Sequence, residues 1–518
     1  MTARKARPAK RRLLASRLVV AVLVVIVLAA LYAAARFSRP VALSSAAASG
    51  AAARLPVTSA LVACPAPGSG NVTGGGIAVA SAPAAAGTGQ ALLTGLRAAG
   101  RTRSGNGVGT TLHILTQPGQ MKIFRIPAAP ALGKHVAVHK MAGGQVPTTT
   151  ARGGVVIQAI GSLAQGFDAE QLGPGGMASA RCAVPRSEFW FVSPGAPKLH
   201  TQLFLLNPDD MPADAAVGVQ TDSGPLLGSP DSGIVIPPHA MIMQSMDKLL
   251  HSARAVALHV TTSTGRVVAA VRETSKVDKP GIWLPAAAPP ATRQVLPGLP
   301  GTPGTRILYL TVPGSGSAQV KVTAITPRGS YQPTGGNGIN LLGHETTGLA
   351  IPSLGGIPAA IKISANVPVT AVVDVPGGPA GAPGAFVTGA GPIDEQGVVA
   401  ASPVGRGVSA VLVLSAPQHA ASVRIAQALP GAVLNGQSGQ VVQIPARSTI
   451  QVQIRLPKRS PRPLGIGIVV TPLAGSGPVY AARIAASGGA AQEILPVIST
   501  PTQIQLPEVA ESLVTILH

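Results

Sequence analysis

"LFLLNP" (Leu203–Pro208) sets leucines two residues apart and stops on a proline. The pattern L-x-L-x-x-P returns as "LYLTVP" (Leu308–Pro313) and "LVLSAP" (Leu412–Pro417). After a short gap each copy continues as A-x-V-x-V/I: "AAVGV" (Ala215–Val219), "AQVKV" (Ala318–Val322) and "ASVRI" (Ala421–Ile425). An aliphatic-x-I-P step follows in "IVIP" (Ile234–Pro237), "LAIP" (Leu349–Pro352) and "VQIP" (Val442–Pro445). Two further alternating runs complete each copy, as in "VALHV" and "RVVAAV" between Val256 and Val271. Alternation of this kind puts one face of a strand inward, as in half-buried antiparallel sheet. Val and Ile dominate the runs and pack well on a pleated surface. Proline at the end removes a ladder donor and stops the pairing.

A worn first copy lies upstream, with "IAV" (Ile77–Val79), "FRIP" (Phe124–Pro127), "HVAVH" (His135–His139) and "GVVIQAI" (Gly154–Ile160). The fold class expected is therefore all-β. About four tandem immunoglobulin-like β-sandwich repeats follow one N-terminal transmembrane helix. Solenoid repeats are shorter, so each unit is expected to close its own core. The boundaries read as a basic cytoplasmic tail at 1–17, a transmembrane segment at 18–35 and an Ala/Ser-rich linker at 36–60. Unit 1, degenerate, spans 61–180. Units 2, 3 and 4 span 181–290, 291–380 and 381–487, and a C-terminal tail spans 488–518. "AMIMQSMDKLLHSA" (Ala240–Ala253) has the Met and Leu spacing of a few helical turns in a packed connection.

Leu18 to Ala35 carries no charge, and seven of the nine basic residues in 1–40 precede it. At about 1.5 Å per residue the run reaches roughly 27 Å, close to the hydrocarbon thickness. The positive-inside bias then puts the N-terminus in the cytoplasm and the bulk outside. The competing reading is a signal peptide cleaved near Ala33–Ala35, which makes the protein secreted; the run exceeds the usual length of a signal core. Outside the cytoplasm an even cysteine count reads as a disulfide, so Cys64 and Cys182 are expected to pair. Neither cysteine has a catalytic motif around it.

Composition narrows the function. Aromatic residues are 3% and charged residues 11% of the chain, which leaves few groups for acid–base chemistry. The net charge of +22 is partly local, and the rest is scattered along the chain. A nucleic-acid binder concentrates its charge in a dense stripe, so no nucleic-acid partner is expected. Attraction to acidic envelope polymers or lipid head groups fits the scatter at least as well.

"RCAVPRSEFWFVSPG" (Arg181–Gly195), then L-x-L-x-N-P, "TGRVVAAV" (Thr264–Val271) and "GIWLPAAAPP" (Gly281–Pro290) resemble an uncharacterised actinobacterial family. Its members are secreted or membrane-anchored proteins of unknown function. The resemblance covers most of the chain beyond the hydrophobic segment and is clearest at about 180–300. It implies an envelope location and supplies no catalytic residue.

The chemistry-bearing motifs are few. There is no G-x-S-x-G elbow, no H-E-x-x-H helix and no phosphate loop ending in G-K-S/T. His135 and His139 flank an alternating run, where i and i+4 stand about 13 Å apart, so no metal site and no cofactor are expected. Asp209, Asp210, Asp214, Asp222, Asp394 and Glu395 sit in turn-like sequence, where Asp bonds its own backbone. Trp190 and Trp283 are the remaining candidates for ligand contact, Trp283 beside a proline-rich junction and Trp190 inside "EFWFV". The function expected is a non-enzymatic, membrane-anchored extracytoplasmic scaffold or interaction protein of the bacterial cell envelope. Its partners are the membrane and either cell-wall polymers or another envelope protein. The alternative is a cell-wall carbohydrate-binding protein acting through Trp283.

Overall fold

The computed structural model describes residues 22–30, 32, 54–65, 75–82, 88–98, 112–125, 154–173, 178–195, 199–226, 232–250, 252–275, 281–302, 304–351, 354, 356–375, 384–405, 407–433, 439–456, 465–487 and 491–505. The chain divides into two compact units, Met1–Leu55 with Gln505–His518, and Pro56–Ile504.

In the first unit, residues 22–30 and 32 are helical and exposed. Among the described residues no helix is long and apolar enough to cross a membrane. This overturns the expected single-pass anchor at 18–35 and the cytoplasmic N-terminus that came with it. The basic tail at 1–17 and most of the linker at 36–60 lie outside the described residues, as do His135 and His139.

Pro56–Ile504 is built from antiparallel sheet, apart from a short parallel pairing of Arg97–Ala98 with Ala240 and Met241. The second repeat shows the plan. Its strands in chain order are Glu188–Ser193, Leu199–Asn207, Ala213–Thr221, Ser232–Ile236, Ala240–Ser245, Val256–Thr264, Val268–Ser275 and Ile282–Leu284. One sheet runs first–sixth–third–fourth, and the facing sheet runs eighth–seventh–second–fifth. The same order recurs from Ser59–Cys64 to Ala180–Arg181 and from Gly397–Ser402 to Ala491–Val497. It recurs again from Ala291–Leu299 to Ala385–Thr388. There the single strand Ala359–Val375 supplies the sixth and seventh places and passes from one sheet into the other. Between each pair of sheets lies an apolar core; in the second repeat Phe189, Leu203, Leu205, Val217, Val260 and Val271 meet there.

The all-β expectation and the structure agree, but the strand order is not that of an immunoglobulin. That fold sets its first strand beside its second and its seventh beside its sixth. Here the first strand lies beside the sixth and the seventh beside the second. Apolar alternation marks the inward face of a strand and is the same whichever sheet an edge strand joins. The register of the third repeat also differs from the sequence pattern. Ile236 and Ile444 end fourth strands, whereas "LAIP" falls in the fifth strand Thr346–Ile351. The counterpart of "IVIP" is Ile339–Leu341. His239, His344 and Arg447 confirm this alignment, each at the same step past Ile236, Leu341 and Ile444, with φ of 50°, 59° and 55°. A left-handed residue turns the chain sharply from one sheet to the other there. The stretch expected to add helical turns is the strand Ala240–Ser245, followed by the helix Asp247–Leu250.

The four sheet pairs pack on one another. Ala63 and Leu96 of the first pack on Phe204, Leu206 and Met241 of the second. Tyr309, Val372 and Phe386 of the third join the second core. Val413, Ala482 and Ile494 of the fourth join the third core. Val398, Ala400 and Val469 of the fourth then pack on Ala78, Ala80 and Met121 of the first, so the series closes. Gly298 (φ 89°) allows close approach at one junction, since a Cβ there would strike Ala482.

Cys64 and Cys182 form a disulfide across a sequence separation of 118. Both are buried in the first core. A Cys64→Ser/Cys182→Ser protein should lose about 2–5 kcal/mol of stability. Urea unfolding of the two proteins measures it, and an unchanged midpoint contradicts it.

Candidate functional site

A cavity of about 1120 Å³ opens where segments of all four sheet pairs meet within Pro56–Ile504. Most of its wall is apolar. Phe167, Phe189, Phe191, Trp283 and Phe386 line it, five of the thirteen aromatic side chains in the whole chain. Strand alternation delivers them: Phe189 and Phe191 lie two apart on Glu188–Ser193, on the face that turns away from Trp190. The polar part of the wall includes Asp168, Ser179, Arg181, Arg186, Arg266 and Glu493.

One rim is the connection Cys182–Arg186 between the first and second repeats. Cys182 is tied to Cys64. Ala183 pairs with Ala63 through backbone bonds of 2.9 and 3.0 Å, and Arg186 pairs with Val267 in the same way. The rim is thus fixed to both repeats, which holds the shape of the opening.

The wall between the first and fourth repeats is a buried charge network. Arg483 is fully buried and lies 3.2 Å from Glu170 and 2.5 Å from Glu493. Glu493 also accepts from the Ser179 amide at 2.7 Å and from its hydroxyl at 2.9 Å. Arg181 pairs with Asp168 at 3.1 Å and donates to the carbonyls of Pro496 and Val398. Asp168 and Glu170 accept from the amides of Ala400 and Ala401. Burial pushes the Glu170 carboxyl up to about 7 against the pull of Arg483, and raises Asp168 against the pull of Arg181. Asp168 and Glu493 are two carboxylates in one concavity, but their acceptor positions are taken by the contacts that join residues 168–181 to 398–496.

The sequence candidates fall elsewhere or take other roles. Trp190 is buried, stacks on His259 with centroids 3.8 Å apart and donates to Glu188 at 3.0 Å. Trp283 is half-buried at the cavity wall, with the Arg272 guanidinium over its ring and Phe204 tilted at 52° against it. Asp209 makes two bonds to Arg266 of 2.9 and 3.0 Å, and Asp210 meets His239 at 2.7 Å. Asp222 accepts from the Arg254 amide, Glu395 from the Thr502 amide, and Asp394 donates its amide to Ser499. Asp214 lies at a register shift in Ala213–Thr221. Among the described residues no group of His, Cys, Asp and Glu has the geometry to hold a metal ion.

Sequence reasoning passed over Asp168, Glu170, Arg181, Arg483 and Glu493. The trace they leave is a charged residue inside a strand that is otherwise apolar, as in "YAARIAAS" (Tyr480–Ser487). It also passed over Glu273 and Asp374. Burial raises Glu273 to about 7, with Asp374 adding to the rise, and raises Asp374 to about 6.

Residues 136–455 match the model of a family described as a family of unknown function, DUF5719. No curated protein matches the chain.

Two outcomes follow from the buried charges. Arg483→Leu strands Glu170 and Glu493 without their cation and should cost about 3–5 kcal/mol, with part of the loss recovered by adding Glu170→Leu. Denaturant midpoints of the single and double variants check it, and equal losses contradict it. Glu273 binds its proton more tightly folded than unfolded, because its pKa rises from 4.5 to about 7. The unfolded chain therefore holds fewer protons between those values, and stability falls as pH rises through that window. The urea midpoint of Glu273→Gln should fall less steeply between pH 5 and 7.5 than that of the parent.

Proposed function

We propose that this chain, which belongs to the DUF5719 family of unknown function, is a non-enzymatic binding protein. Its cavity takes up the apolar part of a ligand, in an oxidising compartment. The observation that carries this reading is the gathering of five aromatic side chains around one cavity in a chain where aromatics are 3% of residues. Ligand sites are concave, mostly apolar and equipped with a few placed polar groups. The cavity has that make-up, and its volume suits a small molecule. The disulfide supports the oxidising compartment.

Binding is favoured over hydrolysis because the carboxylates on the wall are held by Arg181, Arg483, Ser179 and backbone amides. A general acid or base needs a free lone pair or proton aimed at the substrate. The carbohydrate reading through Trp283 has less support. Arg272 lies over the ring and Phe204 packs against it at a tilt, whereas a sugar platform needs an open aromatic face. The interaction-protein reading carries over: four sandwiches closed on one another offer a fixed site.

The test is fluorescence titration of the full chain with N-phenyl-1-naphthylamine, a neutral apolar probe. One saturable site is expected. Ala270→Phe, which places a ring at the cavity wall beside Trp283, should weaken it about tenfold or more while the protein still unfolds cooperatively. Absence of saturable binding, or equal binding by the variant, sinks the reading.

A further inference from the structure

We infer that the ligand is an amphipathic anion, a carboxylate or phosphate on an apolar chain, and that Arg186 receives its charged end. The inference rests on the cavity reading above and adds the ligand's polarity. Three arginines line the cavity: Arg181, Arg186 and Arg266. Arg181 holds Asp168 and two backbone carbonyls. Arg266 holds Asp209 through two bonds. Arg186 differs. Its side chain is exposed at the rim and makes no ion pair among the described residues. Its guanidinium lies 5.7 Å from the centroid of the Phe189 ring, which itself lines the cavity.

The position of Arg186 is as fixed as a loop position can be. Its backbone pairs with Val267, and its segment begins at the Cys64–Cys182 disulfide. The cation–π contact with Phe189 restrains the side chain, and its exposure keeps the donor edge of the guanidinium accessible. That edge presents a fork of donors that matches a carboxylate or phosphate through two parallel bonds. Val184, on the same rim, is exposed and apolar. A largely apolar wall that ends at a cation unclaimed among the described residues is complementary to a molecule with a long apolar body and one negative end. A neutral alcohol would leave the guanidinium without its partner, and a cationic amphiphile would meet like charge.

Tryptophan fluorescence reads the binding, because Trp283 stands on the cavity wall. The full chain is titrated with hexadecanoate, hexadecyl phosphate, hexadecanol and hexadecyltrimethylammonium, each below its micelle concentration. At least one anion should bind about tenfold tighter than hexadecanol, and the tighter anion identifies the head group. Arg186→Gln should erase that preference and leave hexadecanol binding unchanged, and Arg186→Lys should keep part of it. Equal binding of anions and alcohol, tighter binding of the cation, or a preference that survives Arg186→Gln overturns the inference while the cavity reading stands. Failure of all four amphiphiles to bind overturns both.

Discussion

The ion pairs of Arg483 with Glu170 and Glu493 tie the end of the β body to its beginning. A fully buried guanidinium and carboxylates are stable only when each finds its partner, since desolvation is heavy and one missing group leaves a bare charge in an apolar medium. Arrangements of the fourth repeat against the first that separate these groups are therefore disfavoured. Apolar packing of Val398, Ala400 and Val469 on Ala78, Ala80 and Met121 supplies area but little direction. The charges and the amide bonds to Asp168 and Glu170 supply the direction.

Closure has a geometric consequence. Part of the wall where the four sandwiches meet comes from residues of their cores, among them Phe167, Phe189, Phe191 and Phe386. The rest of the wall is the outer face of some strands and the connections between repeats. In this chain those positions carry Trp283, Arg186 and Val184, and the edge residues of the charge network. The cavity is thus a product of assembly among the repeats and belongs to no single one of them.

The strand pattern was legible wherever one face of a strand is buried. Leu203 and Leu205, Leu308 and Leu310, and Leu412 and Leu414 all lie in cores, as L-x-L requires. The pattern misled where two strands of similar composition follow one another. "LAIP" resembles "IVIP" but belongs to the next strand, and the left-handed His344 shows where the true boundary lies. The eighth strand Ala491–Val497 falls in the segment that composition alone assigns to a tail. The Asp pair that follows Leu206 is a loop feature: the Asn207 side chain accepts the Asp209 amide, and Arg266 holds the Asp209 carboxylate.

The sequence by itself determined the all-β class, the repetition of one strand plan and the scarcity of groups for catalysis, because these depend on local alternation and on composition. Tertiary structure alone decided which sheet each edge strand joins, how the fourth repeat meets the first, and that Phe167, Phe189, Trp283, Phe386 and Arg186 stand around one space. Those features depend on contacts between residues far apart in sequence, as between Arg483 and Glu170, 313 positions apart. No local pattern encodes such a contact. Its only trace in the sequence is a lone charge where a strand should be apolar.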